Sequence, residues 1–483
     1  MKHTLLYIVL LTGSLLFLTC CEGRISSDPT LQLSFSADTL RFDTLFTRQE
    51  STTLTLKVRN PHKEALLISS VTLNNGEYFR LNIDGVAGTN NKDIVLYGKD
   101  SLYIFVSCLP DHQNATTPVL IEDQILFSVN DHLQTVLLEA YGQDVHLCGK
   151  DTILQDTILT ADLPYLVRDT IIFAGKVTVP AGATFYLHDY AALFFLGDVS
   201  MNGTLEQPIT IRGDRLDKAS THIAYNYISG RWNGIYLLQP DETPACSWKL
   251  NYVETNSGSV GVYAVAYRTD NLPQLTLYNS RIHNFSLYGL VLQNTNATII
   301  NTEISNCASY CVYLAGGNHT FTHNTIANYF GSGLQMHSTG REDVAAVYVN
   351  NLSKKMAPMR TVFRNNIITG VRQNNLLVAT PLPDYYTGTF SHNYLKADSL
   401  GIEGFANNVY ATDTDTMFVC TRYAPPDYTY FDFQLDSVSP ARGIADKFYS
   451  QQHPLDRLGN PRLEGKAPDA GCYQWQPTPV TNE

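Results

Sequence analysis

In the second half of this chain one short pattern returns every 22 residues. NSRIHN begins at Asn279 and NTEISN at Asn301, and Ile326 of HNTIAN follows Ile304 as Ile304 follows Ile282. The register holds over the whole period. Leu277, Ile299 and Phe321 are equivalent, as are Leu290, Val312 and Leu334, and Asn284, Asn306 and Asn328. GKVTV at Gly175 and GDVSM at Gly197 give the same spacing earlier. RNNIITG puts Ile368 at 42 from Ile326, close to two periods, and SHNYL (391–395) is a last, weaker echo. Self-similarity at such a period means stacked units. Each unit has room for about three short strands and no helical periodicity, so the expected unit is one coil of a parallel β-helix, its coils about 4.8 Å apart. Asparagine suits the turns, because it tolerates left-handed backbone and bonds to its equivalents above and below.

The repeat also explains NTEISNCASYC (301–311). Cys307 takes the position of Phe285 and Tyr329, and Cys311 that of Gly289 and Gly333, so both fill slots where other coils put apolar or small residues. A local disulfide and a redox or metal role are the alternatives. His323 replaces Asn279 and Asn301 in their ladder, and His319/His323 on a strand lack the helical geometry of a zinc-binding pair. Seven cysteines follow the first 21 residues (Cys108, Cys148, Cys246, Cys307, Cys311, Cys420, Cys472), an odd number with no CxxC. Neither a disulfide framework nor a zinc site is expected. TDTDT (412–416) lacks the Gly and spaced ligands of a calcium loop. No metal and no cofactor are expected.

The chain opens with Lys2 and an apolar run, Leu5–Leu18, too short to span a bilayer and followed by LTCC. This end resembles the lipobox of bacterial lipoproteins. The resemblance implies a signal peptide over 1–21, acylation of Cys21 (Cys20 as second choice) and a polar tether over 22–29. Several acyl chains hold a soluble domain at a membrane, since each buried methylene contributes about 0.8 kcal/mol. A net charge of −12 argues against nucleic acid as a partner.

Residues 30–146 read as short alternating strands separated by turns such as NPHK and NNGE: TLTLKV (53–58), LLISSVTL (66–73), FRLNI (79–83), SLYIFV (101–106) and QILFSV (124–129). The spacing predicts an antiparallel sandwich. FDTLFTRQESTTLTLKVRNPHKEALLISSVTL resembles the immunoglobulin-like domains of the abnormal-spindle/hydin type, which implies a spacer or interaction module.

GKVTVPAGATFYL (175–187) with NGTLEQPITIRGDR (202–215), GRWNGIYL (230–237), and SPARGIADKF (439–448) with LDRLGNPRLEGKAPDAGCYQW (455–475) resemble right-handed parallel β-helix lipoproteins of Gram-negative cell surfaces, of the pectin-lyase-like fold. The expected fold is all-β: an N-terminal immunoglobulin-like β-sandwich, then a right-handed parallel β-helix of single-stranded type with coils of about 22 residues. The helix is expected over 150–432 with a loop insertion at 338–358, a C-terminal capping motif over 433–475 and a tail over 476–483. Capping makes physical sense, because a β-helix ends in open strand edges. Asp456, Arg462 and Asp469 are expected to bond backbone and one another there. The resemblance places the chain on the outer membrane, at the cell surface or the periplasmic face.

The fold also houses pectate lyases and polygalacturonases, but fold alone does not license an activity. Glycoside hydrolysis needs two placed carboxylates, and lyases need acidic calcium ligands and a base. From Asn271 to Gly340 the only acid is Glu303 and the only arginine Arg281. Any site is therefore expected on the irregular segments. STGREDVAAVYVNNLSKKMAP (338–358) supplies Glu342 and Asp343 as candidate catalytic carboxylates and Arg341, Lys354 and Lys355 as ligand contacts. PLPDYY (381–386) adds Asp384 as a third candidate carboxylate, with Tyr385 and Tyr386 as sugar-stacking contacts, and Trp232 is expected to pack at a coil edge, with a sugar contact as the alternative. The expected function is a membrane-anchored, non-catalytic surface or periplasmic protein that binds or presents a glycan or an envelope partner. The alternatives are a polysaccharide lyase or glycoside hydrolase with a loop-borne site, and a structural component of an outer-membrane assembly.

Overall fold

A computed structural model describes residues 24–477 apart from 89, 221–222, 332–343, 351–352, 380–381, 399–403, 413–414, 422–430 and 466. The lipidation candidates Cys20 and Cys21 lie outside the described residues. The chain divides into two compact units, one ending at Asp144 and one beginning at Val145.

The first unit is two β-sheets over one core. One sheet is built on Ala65–Leu73, Val119–Val129, His132–Gln143 and Thr39–Phe46; the other on Leu54–Arg59, Ser101–Cys108 and Phe79–Ile83. Alternation in these strands sends Leu56, Val58, Ile104 and Val106 from one side, and Ile68, Ile125, Phe127 and Leu138 from the other, into full burial. Asn60, in the NPHK turn, is buried. Its amide donates to the carbonyls of Glu64 and Leu96, and its carbonyl accepts from the His62 amide.

The second unit is a stack of coils whose strands pair in parallel with their equivalents one coil on. Each coil contributes to three rows in the order A, B, C. Row A is the 11-stranded sheet running from His146–Cys148 to Val409–Tyr410, and rows B and C together form the 17-stranded sheet. Row B includes Gly234–Gln239, Val260–Ala266 and the start of Tyr288–Ile300; row C includes Ser247–Asn251, Gln274–Tyr278 and the end of that same long strand. The repeat's apolar positions point inward. Ile282, Ile304, Ile326 and Ile368 stack in row A at zero exposure, and Phe321, Phe363, Phe390 and Phe405 stack in row C with centroids 4.5, 4.9 and 4.3 Å apart. Each such side chain contributes about 2 kcal/mol through burial.

The turn from row C to row A carries the polar ladders. Asn279, Asn301, His323, Asn365, His392 and Asn407 all adopt positive φ, between 50° and 58°. The residue after each turns inward. Asn324, Asn366, Asn393 and Asn408 form a chain in which each carboxamide oxygen accepts the previous member's backbone N–H. Each also donates to an interior carbonyl, as Asn366 does to Phe321. The ladder satisfies backbone groups that the sharp corner would otherwise orphan.

Three expectations are corrected. The 42 residues from Ile326 to Ile368 are one enlarged coil, not two, because Thr325–Asn328 pairs directly with Ile367–Gly370. The stretch 338–358 is not a single bulge: Val347–Asn350 is a regular row-B strand, with Ala345, Ala346, Val347 and Val349 buried. The small and alternating residues of AAVYVN fit the coil interior, so the extra length falls at the corners on either side. The C-terminal segment is also no plug on the coil end. It runs along the outer side of row A, where Arg457 donates to the Ser280 carbonyl and Glu254, Arg462 to Asn301, and the Cys472 amide to Thr325. The outward residues of row A include Arg281, His283 and Glu303, which need polar cover. Asp456 and Asp469 shape this strap by accepting backbone N–H groups, from Leu458, Asn460 and Gln474 for Asp456 and from Gly443 and Trp475 for Asp469. Arg462 bonds the Asp469 carbonyl.

Candidate functional site: an aromatic face on row B

The three outer faces differ in chemistry. Row A is roofed by the strap and by the hairpin Phe418–Cys420/Asp432–Leu435, with Met417, Phe433 and Tyr473 packed on Ile367 and Tyr394. Row C presents a flat polar column, Thr276, Thr298 and Thr320, flanked by Asn296 and Asn318. Row B presents aromatic rings. Its outward column in register is Phe194, Tyr236, Tyr263, Val291, Tyr313, Tyr348 and Leu377. Inward neighbours such as Leu237, Leu290, Val312 and Val349 are fully buried, while the column's rings are half-buried.

Two more tyrosines, Tyr288 and Tyr310, stand beside this column where row A turns into row B. The lower rings stack on one another: Phe194 and Tyr236 are 4.5 Å apart and 8° from parallel. The upper rings are arranged differently. Tyr313 meets Tyr288 at 5.9 Å and 61°, and Tyr348 at 5.7 Å and 63°, while Tyr310 lies 4.9 Å from Tyr348. Edge-to-face pairs leave ring faces and hydroxyls available together, which suits a ligand with apolar and hydroxylated sides. The Asn350 amide donates to the Tyr313 hydroxyl at 2.6 Å. Burial pushes the hydroxyls of Tyr236, Tyr263, Tyr310 and Tyr313 above the usual phenol range, so they stand as neutral donors and acceptors. No charged residue occurs in the row-B strands Gly234–Gln239, Val260–Ala266, Val347–Asn350 and Leu376–Ala379.

The structure sorts the contacts expected from sequence. Trp232 is buried at 1% exposure, its indole N–H donates to the Asn256 carbonyl, and it packs edge-on against Phe285; it cannot stack on a sugar. Tyr386 is also withdrawn. It opens the strand Tyr386–Ser391, packs on the coil interior and shares a hydrogen bond with Thr361, and burial pushes its hydroxyl up to about 12. Lys354, Lys355, Asp384 and Tyr385 remain at the surface. They occupy the corner between rows B and C in successive coils, and the Lys354 ammonium sits 5.7 Å from the Tyr385 ring centroid. Arg341, Glu342 and Asp343 lie outside the described residues. The described part of this corner therefore supplies one carboxylate, Asp384.

Glu303, the lone acid of the regular coils, is fully committed. It is 1% exposed, pairs with Arg281 at 3.0 Å, and accepts from Ser305 and the Tyr473 hydroxyl beneath the strap. Burial pushes its carboxyl up, but Arg281, His283, Tyr473 and Arg457 together bring it down to about 2. No group of three His, Cys, Asp or Glu suited to a metal occurs among the described residues. The seven described cysteines are thiols, and Cys307 and Cys311 fill interior slots at zero exposure.

Sequence reasoning missed the tyrosine column. Its traceable signal is Tyr288 and Tyr310, 22 residues apart, with Val291 and Tyr313 in the same register.

A family model described as a right-handed β-helix region matches residues 216–352. No curated protein matches the chain. Among solved structures, a family 123 glycoside hydrolase from Clostridium perfringens is 8% identical, with 26% of this chain and 31% of that one covered and a TM-score of 0.18. The VesB protease of Vibrio cholerae is 16% identical over 23% of this chain and 31% of its own, with a TM-score of 0.17. An ASH/PapD-like domain of human CEP192 is 11% identical over 25% of this chain and 89% of its own, also at 0.17. The chain thus spans about a third of the first two, and at these scores the likenesses say nothing about activity. The sequence match and the stacked parallel rows agree on one point: the second unit is built around a right-handed β-helix.

Proposed function

We propose that this chain is a membrane-anchored envelope protein whose β-helix binds or presents a glycan on the aromatic row-B face without cleaving it. The observation that carries the reading is that column of half-buried, uncharged tyrosines, left open among the described residues while row A is roofed by the chain's own strap. Sugars offer apolar ring faces and hydroxyl edges, and tyrosine answers both. The apolar run Leu5–Leu18 followed by LTCC supports an acylated N-terminus, at Cys21 or Cys20, and an outer-membrane location at the cell surface or periplasmic face. The first unit serves as an immunoglobulin-like spacer or interaction module; its two-sheet core supports that reading.

A second reading, a polysaccharide lyase or hydrolase, is favoured by the assembly of Asp384, Tyr385 and Lys354 at one corner. Both readings meet one test. The chain is incubated with acidic and neutral polysaccharides, and their size profiles are recorded. Co-elution at larger size without shortening is expected. Shortening of any polysaccharide moves the function to the corner loops, and no shift with any member removes the glycan in favour of a protein partner.

A further inference from the structure

The upper rungs of row B are flanked by cations. Arg372 stands at the corner between rows A and B, just after Ile367–Gly370 and just before Leu376–Ala379, whose Leu377 is in register with Tyr348. Burial raises the Tyr310 hydroxyl, and the Arg372 charge pulls against that rise. At the opposite corner of the same coils stand the exposed Lys354 and Lys355. Among the described residues none of these three cations is held in an ion pair. The carboxylates described on these coils are Asp384, exposed, and Asp398, which accepts from the Asn374 amide. On a chain of net charge −12, cations on both sides of one uncharged aromatic patch are a local reversal of sign among the described residues.

Resting on the glycan reading above, we propose that this end of the face takes an acidic sugar residue, with Tyr313 and Tyr348 contacting the ring and Arg372 pairing its carboxylate or sulfate. The planar guanidinium bonds such an anion through two parallel N–H groups, which a lysine cannot do. Neutral residues of the same chain run on toward Tyr263 and Tyr236, where Arg268 beside the strand is held by Asp270.

The test is titration calorimetry of the full chain in detergent with two probes, a pentasaccharide of galacturonic acid and cellopentaose. The acidic probe is expected to bind about tenfold more tightly, and Arg372→Gln to erase that preference while leaving the neutral probe unchanged. Tyr348→Ala is expected to weaken both probes, with an unchanged thermal melt as the control for folding. Equal binding of the two probes, or an acidic preference that survives Arg372→Gln, overturns the acidic-sugar inference and leaves the glycan reading standing. Binding of neither probe overturns the glycan reading itself.

Discussion

The β-helix should be unusually sensitive to mild acid, because three histidines are buried as neutral side chains. His319 points into the coil interior between Ala297 and Thr361. It is 1% exposed, its Nε2 shares a hydrogen bond with the Thr295 hydroxyl, and burial pushes it down to about 3. His283 lies under the strap, pushed down to about 3 by burial and by Arg281 against the pull of Glu303. His323 sits in the turn ladder beside Ser450 and Asn365, well below its usual range through burial and the nearby Arg462.

In the unfolded chain each histidine titrates near 6.5. Between that value and 3 the unfolded state binds protons that the folded state refuses, so stability falls as pH falls through this window. At pH 5 the loss is about 2 kcal/mol per histidine relative to pH 7, or roughly 4 kcal/mol for His283 and His319 together. That is a large part of an ordinary domain's net stability, about 5–15 kcal/mol. Glu303 does not confuse the result. Its folded value near 2 gives stability that is present above about 4.5 and lost only as pH drops further.

The perturbation is His283→Asn with His319→Thr, each matching a residue already in the same column, Asn256 and Thr361. All three tryptophans (Trp232, Trp248, Trp475) belong to the second unit, so their fluorescence during urea unfolding reports on that unit. The wild-type chain should lose about 4 kcal/mol or more between pH 7 and pH 5, and the double variant should recover roughly 4 kcal/mol of that difference. Only the difference between the two pH values matters, so a variant less stable at both still tests the argument. An unchanged acid penalty in the double variant would refute it.

Two further substitutions, with a third as a surface control, test what holds the coils. Glu303→Ala leaves the half-buried Arg281 and the buried Arg457 without that carboxylate and should cost about 3 kcal/mol, read as a lowered urea midpoint, whereas Asp384→Ala at the exposed corner should leave the midpoint unchanged. Asn366→Ala orphans the Asn324 amide and the Phe321 carbonyl and should cost about 2–3 kcal/mol, with faster hydrogen exchange at the Asn324 and Asn366 turns; protection unchanged there would mean that the ladder is not holding the corner.

What could be read in the sequence is what the coil interior forces. Ile282, Ile304 and Ile326 must lie one above the other, so their spacing survives in the letters. The faces outside the coil are not forced in this way. The tyrosine column crosses coils of unequal length: Tyr263 to Val291 is 28 residues and Tyr313 to Tyr348 is 35, so no fixed period exposes it. The enlarged coil misleads for the same reason, since residues added at corners lengthen the period without disturbing the strand register. Tyr386 looked like a surface aromatic because it sits in an irregular stretch, where a shift of one residue turns a side chain from outside to inside. The strap is harder still. Its contacts join residues up to 203 positions apart, such as Arg457 to Glu254 and Cys472 to Thr325, and no local pattern encodes them. Yet the strap decides which outer face is covered. By covering row A it buries the one acid of the regular coils, Glu303, in a closed ion pair, and it leaves the tyrosines of row B as the open aromatic face. On the function proposed above, a long-range contact that resembles a stability device thereby closes one face and leaves recognition to another.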